Sequence, residues 1–198
     1  MNELWLYGVV GEEGYGDVSA KDVRDQLAKF NKSEPIVVRV NSPGGSVFEA
    51  VSIRTQLSQW PAGVNVQVDG LAASAASYIA TVGRSVAMAR DGSLMIHDAW
   101  GMTLGNAADH QKASQTLDQI SDSLVGAYAA KSGKSRAEIR TAMKRETWFT
   151  STGAVEYGLV DMIVGEDGRA VAMNGKQASR SVAELQARLD ALCDRIGR

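Results

Sequence analysis

The sequence has little cysteine, little histidine and no excess of charge of one sign. Its 198 residues include one cysteine, Cys193, which excludes an internal disulfide and a metal site built from paired cysteines. The 21 basic and 23 acidic residues leave a net charge of −2, so no broad basic field exists to hold nucleic acid or an anionic membrane. The only histidines are His97 and His110. A mechanism that needs a base near neutral pH must therefore use one of them, or a carboxylate or a lysine.

Long apolar runs are also missing. The amino-terminal sequence MNELWLYGVVGEEG lacks a positively charged start, and its apolar run is too short for a signal peptide or a membrane span. We therefore expect a soluble, cytoplasmic protein with no nucleic-acid or membrane partner, no cofactor and no metal. The length fits one domain with or without a tail, and a hydrophobic content of 44% excludes a wholly disordered chain.

The first half of the chain alternates between strand and helix patterns. Apolar or β-branched runs predict strands at 4–9, 35–40, 64–68 and 85–89, and helical spacing separates the first three. This alternation favours an α/β fold with a mostly parallel sheet. The run at 35–40 is followed by NSPGG, which predicts a sharp loop over 41–45.

The second half begins with helices and then returns to the sheet. Helical spacing over 107–130 and a capping box that starts at Ser135 predict two successive helices. A core domain is expected to span 1–164, with 165–180 as a linker or hairpin. The spacing over 181–198 predicts a short amphipathic helix that carries Cys193 and either associates or frays.

Two loops of this fold have unusual composition. NSPGGS at 41–46 has paired glycines that let backbone N–H groups approach a ligand closely, as in a phosphate cradle or an oxyanion hole, although a plain tight turn also fits. The lysine of a nucleotide-binding loop is absent. DGLAASAAS at 69–77 places Ser74 and Ser77 where a strand gives way to a helix, so either hydroxyl is a nucleophile or a simple helix cap.

Further candidates lie beyond these loops. His97 follows an apolar run at the same expected sheet edge, whereas His110 lies in a polar stretch and is read as a bystander. Glu146 precedes an aromatic pair, and the alternative for it is a solvated charge at a helix end. A serine, a histidine and a carboxylate at one edge would form an acyl-transfer site whose oxyanion hole consists of backbone N–H groups.

The same motifs occur in this order in a known family. The chain resembles the ClpP-type serine proteases over about residues 3–164, and within them the ClpP-like head maturation proteases of tailed bacteriophages. The motifs are NSPGGSV at 41–47, GLAASAAS at 70–77, MIH at 95–97, ETWFTSTGA at 146–154 and EYGLVD at 156–161. The resemblance implies a ClpP/crotonase-like fold with stacked βαβ units and a protruding helical handle at about 107–144.

The resemblance also implies a set of site residues. They are the nucleophile Ser74, the general base His97, the acid Glu146, and the backbone N–H groups of Gly45 and Ala75 as the oxyanion hole. Glu146 stands where the housekeeping enzymes have aspartate. Asp161 matches a structural aspartate of the family and is therefore a poor substitute for it.

The implied partners are a polypeptide substrate and further copies of the chain. The resemblance implies a homo-oligomeric ring or stacked rings, and a substrate that adds to the sheet as an extended strand. Because Met1 lies just before the first strand, we expect no loops for an ATPase ring. The expectation is ATP-independent cleavage of scaffold or capsid protein in the host cytoplasm or the procapsid. The alternatives are a crotonase-like acyl-CoA enzyme and a catalytically silent assembly protein.

Overall fold

The computed structural model describes residues 2–12, 14–165 and 169–173 of the chain. The predicted tail helix at 181–198, its Cys193 and most of the predicted linker at 165–180 lie outside the described residues. In the described part of the chain, no helix combines the length and the apolar character that crossing a bilayer requires.

Strands and helices alternate through the first half, as the sequence predicts. The elements are β1 (Asn2–Val10), α1 (Ala20–Leu27), β2 (Ile36–Gly45), α2 (Val47–Ser58), β3 (Val64–Ala73), α3 (Ala75–Ala80) and β4 (Ser85–Ala89). The second half comprises β5 (Ser93–Ile96), α4 (Ala107–Ser132), α5 (Arg136–Lys144), β6 (Thr147–Thr150), α6 (Ser151–Tyr157), β7 (Met162–Val164) and β8 (Ala170–Met173). The capping box predicted at Ser135 is present at the start of α5, where Glu138 completes it.

The sheet is mostly parallel, which confirms the predicted α/β class. Its main path runs β1-β2-β3-β4-β7-β8, and all pairs on it except β7 with β8 are parallel. Strand β8 lies within the segment predicted as a linker or hairpin and pairs with β7 antiparallel.

Strand β3 connects two parts of this sheet. Residues 65–68 pair with β4, whereas residues 71–73 pair with β5, which in turn pairs antiparallel with β6. The carboxyl ends of β2, β3 and β5 therefore lie side by side, where parallel α/β sheets commonly bind ligands.

The predicted loop at 41–45 is wrong, because β2 continues as an extended strand to Gly45. Strand β1 runs alongside it, and after a register shift Val9 pairs with Gly44 and Val10 with Gly45. A side chain at Gly45 would collide with the carbonyl oxygen of Val10. The neighbouring strand thus supplies ladder hydrogen bonds that outweigh the local turn preference of the proline and glycines.

The hydrophobic core lies between the sheet and the helices. Fully buried side chains come from both, among them Leu4, Leu6, Ile36, Ile53, Leu57, Ile79, Met88, Ile96 and Ile139. Helix α4 contributes only its second half, through Leu124, Val125 and Tyr128. No side chain over 107–120 is buried, so this part of α4 projects from the core.

Candidate active site

Two neighbouring parallel strands bring Ser74 and His97 together. Ser74 follows β3, His97 follows β5, and the preceding pair Ala73–Met95 is in register. The backbone N–H of Ser74 donates to the carbonyl of Met95 at 3.0 Å. As a result, Oγ of Ser74 lies 2.7 Å from Nε2 of His97, whose side chain is 15% exposed.

The backbone of Ser74 has an unusual conformation. Its φ of 54° and ψ of −124° lie outside the regions that L-residues prefer, at a cost of about 1–3 kcal/mol. The residue stands at the N-cap position of α3, yet its side chain makes no capping hydrogen bond. The helix-cap interpretation of Ser74 is therefore wrong, and its hydroxyl faces the imidazole instead.

Glu146 is brought to the other nitrogen of the imidazole. It precedes β6, which pairs with β5 so that Thr147 lies opposite Ile96. Its Oε2 lies 3.8 Å from Nδ1 of His97, within ion-pair range but too far for a hydrogen bond. Its Oε1 receives the indole N–H of Trp148 at 3.3 Å, and the side chain is 60% exposed.

Strain in the backbone coincides with these candidate residues. In the described part of the chain, the only residues other than glycine with positive φ are Ser74 and Glu146, at 54° and 47°. Such conformations persist only where the surrounding structure enforces them, and they are common at functional sites.

Asp161 and His110 lie in other surroundings. The Oδ2 atom of Asp161 accepts the ammonium of Lys131 at 2.6 Å and the backbone N–H of Val86 at 2.6 Å. Both charged side chains are more than nine-tenths buried, so this carboxylate links α4 to β4. His110 is exposed in the first turn of α4 and lines a separate cavity with Ser114.

The glycine pair at the end of β2 packs against the start of α3. A Cβ atom added to Gly44, whose φ is 92°, would lie 2.8 Å from both the backbone N of Ala75 and the Cβ of Ser74. The second glycine, Gly45, follows directly at a φ of 147°. Only glycine therefore leaves open the space beside the Ala75 N–H. The sequence motif contains Gly44, but its contact with the serine was not predicted.

A comparison with known proteins identifies the family. A sequence profile described as Clp protease matches residues 9–167. The chain belongs to the Clp protease family. It is therefore a serine-type endopeptidase, and the acyl-CoA enzyme considered as an alternative is not supported.

Several proteolytic subunits are similar to this Clp protease. It is 32% identical over 158 residues to ATP-dependent Clp protease proteolytic subunit 1 of Chlamydia abortus, covering 74% of this chain and 82% of that one. The identity to the subunit 1 of Protochlamydia amoebophila is 33% over 143 residues, with 70% and 69% covered. The proteolytic subunit of Porphyromonas gingivalis is 29% identical over 154 residues, with 75% and 69% covered.

A small cleft opens beside Ser74 in this Clp protease. Its lining is mainly apolar and comes from α2, α3 and α4, with Val47, Ala50, Tyr78, Leu124 and Tyr128 next to Ser74, Ala75 and His97. The cleft is completed by Asp98 and Ala99, which follow His97 in the chain.

Two groups of polar residues around the site were not predicted from the sequence. Arg140 of α5 binds Asp98, and it also contacts Asp118 at 2.6 Å and Asp122 at 3.0 Å. It thereby ties the residue after His97 to α4 and α5. The second group is the buried hydroxyl of Tyr128, which lies 2.9 Å from Oγ of Ser77. The sequence contained no signal for this contact.

Proposed function

We propose that this Clp protease cleaves peptide bonds with Ser74 as nucleophile, His97 as general base and Glu146 as the acid that supports it. The observation that carries the proposal is the 2.7 Å contact between Oγ of Ser74 and Nε2 of His97. At this distance the imidazole can accept the serine proton as Oγ attacks the substrate carbonyl carbon.

The reaction then follows from these positions. Attack forms a tetrahedral intermediate with its negative charge on the former carbonyl oxygen, and the N–H groups of Gly45 and Ala75 stabilise that charge. Each such donor is worth about 10²–10³ in rate. The protonated His97 gives its proton to the departing amine, which leaves an acyl group on Ser74. Water, deprotonated by His97, then attacks the acyl group and releases the second product.

Glu146 supports the charge that His97 carries during the reaction. In the resting geometry its Oε2 is 3.8 Å from Nδ1, so a movement of about 1 Å would form a hydrogen bond. Catalytic hydrogen bonds are often long before substrate binds. The contact between its other carboxylate oxygen and Trp148 holds the longer glutamate side chain near the imidazole.

The substrate is proposed to be an extended polypeptide with an apolar side chain next to the scissile bond. Support comes from the cleft beside Ser74, which Val47, Ala50 and Leu124 line, while its one acidic side chain, Asp98, is paired with Arg140. Contact of an apolar side chain with this lining removes apolar surface from water, which is worth about 25 cal/mol per Å² buried and favours such residues over charged ones.

The proposal extends to the biological setting in which the cleavage takes place. The Glu-Thr-Trp sequence at 146–148 resembles head maturation proteases, which supports cleavage of scaffold or capsid protein by a ring of subunits without ATP. The three relatives described above are all named proteolytic subunits of an ATP-dependent Clp protease, so they lend no support to this setting. A comparison of cleavage with and without an added unfoldase and ATP tests it, and stimulated degradation of a folded protein would count against ATP independence.

Fluorophosphonate labelling followed by mass spectrometry tests the catalytic assignment. We expect the label on Ser74, no label on Ser74→Ala, and strongly slowed labelling of His97→Ala. His110→Ala is the matched control, because it removes the other histidine of the chain. It should be labelled at the same rate as the wild-type protein.

Processing of a candidate scaffold protein provides the second measurement. Cleavage by Ser74→Ala at the original rate would overturn the nucleophile. If the wild-type protein forms rings but takes no label and cleaves no substrate, the alternative of a catalytically silent assembly protein is correct.

A further inference from the structure

The peptide group between Ser74 and Ala75 carries both the proposed oxyanion donor and a carbonyl that other residues hydrogen-bond. Its N–H, from Ala75, is the proposed oxyanion donor, and its carbonyl oxygen, from Ser74, points the opposite way because a trans peptide is planar. Any contact that fixes this carbonyl therefore fixes the direction of the N–H. The strained φ of Ser74, 54°, means that local backbone preference alone does not hold this orientation.

Two hydrogen-bond donors converge on the carbonyl oxygen of Ser74, and a third hydroxyl lies next to them. The backbone N–H of Tyr78 donates at 3.2 Å as the first bond of α3, and Oγ of Ser77 donates at 2.7 Å. The hydroxyl of Tyr128 lies 3.4 Å from the same oxygen and 2.9 Å from Oγ of Ser77. Since Ser77 has a single hydroxyl hydrogen and gives it to the carbonyl, Tyr128 donates to Ser77. Two hydroxyls thus connect helix α4 to this peptide group.

Both hydroxyls are sealed from solvent. Ser77 and Tyr128 are each 2% exposed, and the Tyr128 ring packs edge-on against Tyr78 with centroids 6.2 Å apart. Burial raises the pKa of the Tyr128 phenol well above its usual value, so the group remains a donor across the working pH range. Water cannot replace either hydroxyl without opening this packing.

We propose that Ser77 and Tyr128 are positioning residues that orient and polarise the 74–75 peptide, so that the Ala75 N–H is aimed at the developing oxyanion. Donors on a carbonyl strengthen the N–H of the same peptide group as a donor. The inference rests on the proposed function, because it assigns a purpose to the oxyanion donor named there. It adds residues outside the triad, one of them 54 positions from Ser74 along the chain.

The expected effect falls on the transition state rather than on substrate binding. Losing an oxyanion donor lowers the rate by about 10²–10³. A donor whose direction is less well fixed should therefore lower the rate by a smaller factor. We expect Tyr128→Phe to lower kcat about 10-fold, and Ser77→Ala, which removes the 2.7 Å bond itself, to lower it about 10- to 100-fold. KM should change little. The double variant should resemble Ser77→Ala, because Tyr128 acts through Ser77.

Steady-state kinetics on a short peptide and affinity for a matching peptide boronate test this. The boronate forms a tetrahedral adduct on the nucleophile, so its affinity should weaken by the same factor as kcat. A purely structural role would not lower kcat and boronate affinity by the same factor while KM stays the same. Tyr157→Phe is the matched control: its hydroxyl lies 3.5 Å from the carbonyl of Glu138, away from the cleft, and its loss should leave kcat unchanged.

The outcomes separate this inference from the proposed function. Folded Tyr128→Phe and Ser77→Ala with the original kcat and boronate affinity would overturn the inference, and so would a rise in KM alone. Ser77→Thr keeps a hydroxyl and should retain most activity, so the Ala–Thr contrast decides the matter if Tyr128→Phe does not fold. A catalytically active Ser74→Ala would instead overturn the proposed function, and the inference with it.

Discussion

Replacing Gly44 by alanine would test whether space beside Ser74, the proposed nucleophile, matters to this protease. The φ of Gly44 is 92°, and an added Cβ would lie 2.6 Å from the carbonyl oxygen of Ala73 and 2.8 Å from the backbone N of Ala75. Cβ atoms in proteins essentially never approach other atoms this closely. The backbone of the glycine pair must therefore move away from α3, and the N–H of Gly45 moves with it.

The size of this effect can be worked out from the geometry. Ordinary contact begins at 3.4 Å, so the 2.6 Å approach requires a displacement of about 0.8 Å. A misplacement of about 1 Å at a reacting group can cost about 10² in rate. The positive φ adds about 1–2 kcal/mol of strain, well below the roughly 5–15 kcal/mol that holds a domain together. We expect Gly44→Ala to fold and to react with a fluorophosphonate about 100-fold more slowly.

Gly14→Ala provides the control for backbone strain. Gly14 has a φ of 88°, close to that of Gly44, but no atom lies within 4 Å of its added Cβ. Labelling rates and circular dichroism would be measured for both variants. Labelling of Gly44→Ala at the original rate would refute the crowding argument, as would an equal loss in Gly14→Ala.

Three other predictions concern stability and the triad. Asp161→Asn leaves Lys131 buried without a carboxylate and should lower the free energy of unfolding, measured with urea, by about 3–5 kcal/mol. Adding Lys131→Met to this variant should recover much of the lost stability. A double variant as unstable as Asp161→Asn alone would contradict this account. Glu146→Gln keeps the side-chain length but removes the charge, so fluorophosphonate labelling should slow about 10- to 100-fold while the thermal midpoint stays the same. An unchanged labelling rate would exclude Glu146 from the proposed triad. Hydrogen bonds from the side chain and backbone of Ser19 hold the pKa of Asp22 below its usual value. Because its folded-state pKa is lowered, the stability it contributes is present above the unfolded value of about 3.9 and is lost as pH falls through the folded value. Asp22→Asn should therefore show a smaller drop in thermal midpoint below about pH 4 than the unmodified protein, and identical pH curves would exclude this contribution.

Much of the fold could be predicted because it depends on local patterns. Alternating apolar runs and helical spacing identified the parallel α/β class, and the serine–glutamate pair at the start of α5 identified a helix boundary. The prediction failed where a distant partner decided the structure. NSPGG has strong turn chemistry, yet β1 holds it extended to Gly45 through pairing between residues 34 or more positions apart.

Motifs in the sequence also singled out the candidate site residues, since Ser74, His97 and Glu146 each stand in a short distinctive segment. Their distances could not be predicted, because each depends on how β3, β5 and β6 pair. The same holds for the 3.8 Å gap between Glu146 and His97 and for the indole of Trp148 beside that carboxylate.

By itself, the sequence determined the class of fold, the order of its elements and the family of serine endopeptidases to which the chain belongs. Only the tertiary structure decided that the Ser74 hydroxyl meets His97 at 2.7 Å, that Gly44 must lack a side chain, and that the Tyr128 hydroxyl lies close to the Ser74 carbonyl. The physical reason is that hydrophobic periodicity and capping act within a few residues. Contacts across the sheet edge instead join segments more than 20 positions apart, and packing of the whole domain sets their geometry.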